Sequence, residues 1–330
     1  MSDAAVPVGL GRRAEEHAAR RSRRGTAVAL VLVAAASCAP TSPSDTLVWQ
    51  GRPRTYRVYR PAGRAAGARM PLLLALHGRG GTGAGMDGLT RGALRAEAAQ
   101  RRWLLVCPDG IGRGWNDGRP PSGRGDRARV GVDDVGFLSA LIDRMIADER
   151  ADPSRVYLAG ISNGGFMSLR IAIERSDRVA AVAAVAAGLP KGLETRRPAN
   201  PVAVLLCNGT EDRRIPFEGG RMPTLLGGSR GEVLSSPATA RWWATSDGCA
   251  GPPIGRELPD RDPNDGTQVT VLTFAGCFAG TDVVLYRVDG GGHTWPNGAQ
   301  YAPRFIVGRV THDIDGTREI FDFLARHVRR

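Results

Sequence analysis

From Thr46 to Pro61 the stretch TLVWQGRPRTYRVYRP alternates apolar and polar side chains, the period of paired antiparallel strands. The pattern then changes. MPLLLALHG (70–78) is a continuous apolar run, as expected of a strand covered on both faces. WLLVCPDG (103–110) and RVYLAGIS (155–162) repeat that form, with the helix-length segment VDDVGFLSALIDRMIADER (132–150) between them. NGGFMSLRIAIER (163–175) reads as a helix, VAAVAAVAAG (179–188) and PVAVLLCNGT (201–210) as buried strands. VTVLTFAG, DVVLYRVDG and a closing helix, TREIFDFLARHV, complete the series. Buried strands separated by helical segments predict parallel βαβ units in one doubly covered sheet, an α/β fold. Residues 215–238 read as a loop lying over the sheet's edge, no internal repeat is present, and nothing is expected to follow the last helix.

Composition adds little to this picture. The 330 residues are 42% hydrophobic and 24% charged, ordinary values for a soluble globular chain. The net charge of +12 suggests nucleic acid at first sight. Yet of 45 basic residues all but Lys191 are arginine, amid abundant Ala, Gly and Pro, the signature of compositional drift. No basic run in the folded region is interleaved with aromatics, so nucleic-acid binding is not expected. No partner protein is implied.

The first residues read separately. ARRSRRG, TAVALVLVAAA and SCAPTSPSD follow the basic, apolar and small-residue order of a secretory leader. The apolar run is too short for a comfortable membrane span. Two fates are open at its end: lipidation of Cys38, which would anchor the chain to a membrane, or ordinary cleavage near Ala36 or Ala39. Ala35 stands where a lipoprotein signal usually carries leucine. The expected organisation is a leader over residues 1–37, a tether over 38–47 and a single domain over 48–330. The protein is expected in the cell envelope or outside the cell.

Export makes the cysteines informative. Cys107 and Cys207 each end an apolar run and read as buried free thiols. Cys249 and Cys277 sit in polar, Gly/Pro-rich surroundings and are expected to pair, with a stabilisation of about 3–4 kcal/mol in the chain-entropy model. No Cys or His spacing suggests a metal, and no cofactor is expected.

LAGISNGGFM (158–167) raises the chemistry. It places Ser162 between Gly160 and Gly164 at a strand-to-helix turn, the context in which a serine is exposed as a nucleophile. Such a serine needs a base, an acid to orient it, and donors for the oxyanion. Of five histidines, His17 lies in the leader, His312 precedes the last helix and His327 reads as a surface residue. His293, in the glycine-rich loop GGGHTWP after a strand, is the candidate base. Glu211 and Asp212, both at the end of the strand PVAVLLC, compete for the acid. The oxyanion donors would be the N–H of Asn163 and one from the loop HGRGG (77–81), with Arg79 favoured. His77 and Trp295 are candidate substrate-binding residues, and packing is an equal expectation for Trp295.

These motifs resemble the poly(3-hydroxybutyrate) depolymerase and feruloyl esterase group, carbohydrate esterase family one of the α/β-hydrolase superfamily. RTYRVYRP, PLLLALHGRGG, DPSRVYLAGISNGGFM, NGTEDRRIPFEGG, ARWWATSDGC, AGCFAG and LYRVDGGGHTWP carry the resemblance over nearly the whole domain. It implies an α/β-hydrolase fold with helices on both faces of a mostly parallel sheet. It also implies a Ser162–Asp212–His293 triad, with Asp212 chosen over Glu211, and a Cys249–Cys277 bridge. The implied activity is ester hydrolysis, on short hydroxyalkanoate esters or on feruloyl or acetylxylan esters of plant polysaccharide. A peptidase or lipase on the same fold is a rival, though 213–240 holds no long apolar lid. A ligand-binding surface lipoprotein without catalysis is the alternative from another class. Arg79 departs from the group, which often has a cysteine or small polar residue there. Its side chain has three options: narrowing the acyl pocket, meeting an acidic substrate, or pointing at solvent.

Overall fold

The computed structural model describes residues 44–63, 67–121, 129–224 and 228–330. The leader and Cys38 lie outside them. The chain opens with the expected hairpin, β1 (Ser44–Trp49) and β2 (Arg52–Tyr59). Its turn is Gln50–Gly51, where both residues have positive φ (47° and 72°), as tight two-residue hairpins demand. Ser44 already pairs with Arg57, so the expected tether over 38–47 is corrected: its last four residues belong to a strand.

Ten further strands follow this hairpin among the described residues. β3 (Met70–Leu76), β4 (Leu104–Pro108), β5 (Ala151–Ile161), β6 (Ala181–Val185) and β7 (Ala203–Gly209) precede a small hairpin, β8 (Gly220–Pro223) and β9 (Ser229–Val233). β10 (Ile254–Glu257), β11 (Gln268–Phe274) and β12 (Val283–Asp289) follow. Ten strands form one sheet in the order β1-β2-β4-β3-β5-β6-β7-β12-β11-β10. The central run from β4 to β12 is parallel, and antiparallel strands close both flanks.

The helices are α1 (Gly85–Leu89), α2 (Ala93–Arg101), α3 (Asp134–Glu149), α4 (Asn163–Glu174), α5 (Ser236–Ser246), α6 (Arg304–Val307) and α7 (Gly316–Ala325). Alternate residues of β3 feed opposite cores. Leu72, Leu74 and Leu76 join Phe137 and Leu141 of α3, Phe166 of α4 and Trp243 of α5. Leu73 and Ala75 join Leu94 of α2 and Phe321 and Leu324 of α7. Both cores exclude water completely from Leu72 to Leu76, which explains the unbroken apolar run. Each buried leucine there contributes about 1.5–3 kcal/mol, and truncating one to alanine would cost about 2–5 kcal/mol.

The described residues from Ser44 onward belong to one unit. Among them, no helix is long and apolar enough to cross a membrane. Cys249 and Cys277 are bonded, and Cys107 and Cys207 are buried free thiols. Two expectations need correction. Residues 215–238 are more than a loop, because they contain the β8–β9 hairpin. It packs on the loop after β4, where Met222 meets Arg119 and Gly231 lies against Pro120. His327 is buried against the Phe323 ring rather than exposed, and its carbonyl accepts the Tyr157 hydroxyl.

Candidate active site

β5 ends at Ile161 and α4 begins at Asn163, so a single residue, Ser162, makes the whole turn. Its backbone has φ 54° and ψ −122°, a conformation costing a non-glycine residue on the order of 1–3 kcal/mol. The surroundings hold it there. The Ser162 N–H donates to Val185 O (2.8 Å), and its carbonyl accepts the Phe166 N–H (2.9 Å). The flanking glycines are a packing requirement: a Cβ on Gly160 would strike the Gly164 backbone, and one on Gly164 would strike the Leu76 carbonyl. Together these contacts let α4 lie directly on β3 and β5 while the serine stays half-exposed.

On one flank of β5, β7 and β12 deliver the acid and the base. Asp212, in the loop after β7, is buried, and its Oδ1 accepts the N–H groups of Arg214 (2.7 Å) and Ile215 (3.0 Å). Its Oδ2 lies 2.7 Å from His293 Nδ1. Glu211 points outward towards Arg309 instead (3.4 Å). Of the two carboxylates, Asp212 is the one that meets His293. His293 is itself buried, and the Tyr301 hydroxyl donates to its carbonyl (2.7 Å). A carboxylate on Nδ1 holds that nitrogen as the donor and leaves Nε2 as the basic one. Among the described residues, the Ser162 hydroxyl and His293 Nε2 make no direct hydrogen bond. Such contacts commonly tighten only with substrate in place.

On the other flank, the loops after β3 and β4 close around the serine. Gly78 abuts it: a Cβ there would sit 3.6 Å from Ser162 Cβ. His77 is buried, its Nδ1 2.7 Å from Gly78 O and its Nε2 accepting the Gly110 N–H at 3.0 Å. This pair requires the neutral tautomer with the proton on Nδ1, and burial also pushes the imidazole pKa down. His77 therefore braces the 77–81 loop and offers no surface to a substrate, which corrects its expected role. Trp295 is corrected likewise. It is fully buried in the α7-side core, with its indole N–H on Thr317 Oγ1 (3.0 Å). Packing, the equal expectation, is what it does.

Asn163 does more than expected. Its N–H, in the first turn of α4, has no intrahelical acceptor. Its side chain clamps the loop after β4, accepting the Trp115 N–H (2.7 Å) and donating to Trp115 O (3.0 Å) and Asp117 Oδ2 (2.5 Å). Asp134 of α3 accepts the Asn116 N–H (2.7 Å) while paired with buried Arg54 (2.6 Å). Arg170 of α4 donates to Asn116 O (2.7 Å). This fixed loop walls a small cleft, whose lining includes Arg79, Trp115, Asp117, Arg119, Arg129, Asn163 and Arg230. Arg79 is among the residues that line it. Sequence reasoning did not find Asp117, Arg119, Arg129 or Arg230. Among the described residues, no group of side chains could hold a metal ion.

Comparison with known proteins adds a frame to this geometry. The family model for the alpha/beta hydrolase fold matches residues 71–236. A protein of Nocardia uniformis subsp. tsuyamanensis named as an esterase, NocK, is 32% identical over 291 residues, covering 86% of this chain and 83% of its own. Feruloyl esterase B of Piromyces equi is 27% identical over 246 residues, 72% of this chain. The match spans only 42% of that longer protein. Among solved structures, acetyl xylan esterase from Aspergillus awamori superposes over 86% of this chain and 99% of its own, with a TM-score of 0.56. At 13% identity that likeness concerns the fold.

Proposed function

Because the chain belongs to the α/β-hydrolase family and is a carboxylic ester hydrolase, we propose that it works by acyl transfer through Ser162, His293 and Asp212. The observation that carries this reading is the strained Ser162 turn opposite a buried His293–Asp212 pair. His293 Nε2 takes the hydroxyl proton as Ser162 Oγ attacks the ester carbonyl. Asp212 holds the imidazole orientation and stabilises the imidazolium. The N–H groups of Asn163 and Arg79 receive the oxyanion. The imidazolium then protonates the leaving alcohol, and water, activated by the same histidine, releases the acid.

For the substrate, short hydroxyalkanoate esters are the first reading, resting on the motif resemblance. Feruloyl or acetylxylan esters are the second, favoured by the names of the relatives. Export follows from the leader over residues 1–37, with lipidation of Cys38 or ordinary cleavage as its two fates. The Cys249–Cys277 bond supports an oxidising compartment. Residues 39–330, offered hydroxybutyrate oligomers, methyl ferulate and acetylxylan, should release acid from at least one. Ser162→Ala should fall to background. Equal release by both proteins would remove Ser162 from the mechanism.

A further inference from the structure

We infer that Trp115 is a positioning residue for the oxyanion hole: it ties the turn that supplies one N–H donor to the loop that supplies the other, and so sets their spacing. This rests on the acyl-transfer reading above and adds to it what holds the two donors in register.

The donors come from separate elements. Asn163 opens α4 directly after the nucleophile turn, whereas Arg79 lies in the loop after β3. A donor stabilises an oxyanion only within about 2.7–3.1 Å of it, so the separation of the two N–H groups has to be held across the site. Trp115, in the loop after β4, is where the ties between them meet. The Asn163 side-chain amide accepts the Trp115 N–H (2.7 Å) and donates to the Trp115 carbonyl (3.0 Å), gripping that backbone from both sides. The Trp115 indole N–H in turn donates to the carbonyl of His77 (2.9 Å), two residues before Arg79. Its ring lies 5.1 Å from the His77 imidazole, centroid to centroid. Two more bonds seat the 77–81 loop on the same support: Gly110 N–H on His77 Nε2 (3.0 Å) and Gly80 N–H on Arg113 O (2.7 Å).

The sequence GIGRGW (110–115) makes this approach possible. A Cβ on Gly110 would strike the Gly114 carbonyl, and one on Gly114 would come within 2.9 Å of Asn163 Oδ1. Trp115 is 1% exposed, so water does not compete for its bonds. A tryptophan that only packs looks different. Trp243 belongs to the same buried cluster, and its indole N–H has no hydrogen-bond partner among the described residues.

That contrast supplies the control. Trp115→Phe keeps a ring but removes the bond to His77, whereas Trp243→Phe takes a similar volume from the same cluster and breaks no hydrogen bond. Asn163→Ala releases the other end of the tie and leaves its own backbone N–H in place. Each variant is read by kcat and KM for para-nitrophenyl butyrate, by melting temperature, and by inhibition with an alkyl trifluoromethyl ketone. Ser162 Oγ adds to that ketone's carbonyl, His293 takes the hydroxyl proton, and the carbonyl oxygen becomes the oxyanion. Trp115→Phe and Asn163→Ala should each lower kcat about tenfold or more with KM nearly unchanged, and weaken the ketone by a similar factor. Trp243→Phe should lower the melting temperature and leave both nearly unchanged. Equal kcat in Trp115→Phe and Trp243→Phe would overturn the inference and leave the acyl-transfer reading intact, as would a fall in kcat with undiminished inhibition. If Trp115→Phe does not fold, Asn163→Ala decides by the same two readouts. No Ser162-dependent hydrolysis of this ester or of the three substrates above by the unaltered protein would count against the acyl-transfer reading itself.

Discussion

The two flanks of Ser162 use buried polar groups for different ends. Towards β7 and β12, one carboxylate meets two backbone N–H groups and one imidazole, so every formal charge has a partner. Towards β3 and β4, Asp117 takes the Arg119 guanidinium and the Asn163 amide, in a cleft that Arg79, Arg129 and Arg230 also line. The first arrangement fixes orientation, because Asp212 has no freedom to turn and His293 turns only with it. The second fixes a wall, because the Asn163 side chain ties the loop after β4 to the start of α4. A hydrolase of this kind needs both: a base held still on one side and a wall held still on the other.

The comparison can be broken most severely at Asp212. Asp212→Asn keeps the size of the side chain but favours the wrong histidine tautomer. It should lower kcat/KM by about a thousandfold or more with little loss of folded protein. A fall of only a few-fold, read in the same ester assay, would mean that His293 does not depend on its partner.

A third carboxylate sharpens what hydrogen bonds do for Asp212. Asp247, fully buried at the end of α5, accepts a long bond from the Val202 N–H (3.4 Å) at Oδ1, with the Thr281 hydroxyl close by. Burial raises its pKa from 3.8 to about 7. The folded state therefore keeps a proton that the unfolded chain loses above about pH 4. Its contribution to stability is full below that pH and declines as pH rises towards 7. Asp247→Asn should flatten this part of the stability–pH profile, removing a change on the order of 4 kcal/mol across the window. Denaturant melts of both proteins between pH 4 and 8 check this, and parallel profiles would contradict it.

Much of this was legible before any coordinates. The buried strands announced themselves because a strand covered on both faces has no polar alternation to hide it, as Leu72–Leu76 shows. The Ser162 turn was legible because its glycines answer to backbone contacts that no other residue survives. His293 stood out among few histidines. Trp295 and His77 were misread because proximity in sequence to a site says nothing of direction. Both point into packing. The β8–β9 hairpin escaped notice because GRMP and SRGEV lack an apolar alternation. The arginine cleft could not be read at all. In a chain with 45 basic residues, Arg79, Arg119, Arg129 and Arg230 each look like solvated surface. Only the loops after β3 and β4 and the β8–β9 hairpin bring them together.

The central claim, that Ser162 is activated by the His293–Asp212 pair, is tested most directly by covalent trapping. The protein is treated with a fluorophosphonate, which phosphonylates activated serines, and the adduct is mapped by peptide mass spectrometry. The account predicts a single adduct on Ser162, absent in Ser162→Ala and strongly slowed in His293→Ala. An adduct on another residue, or labelling that survives Ser162→Ala undiminished, would contradict it.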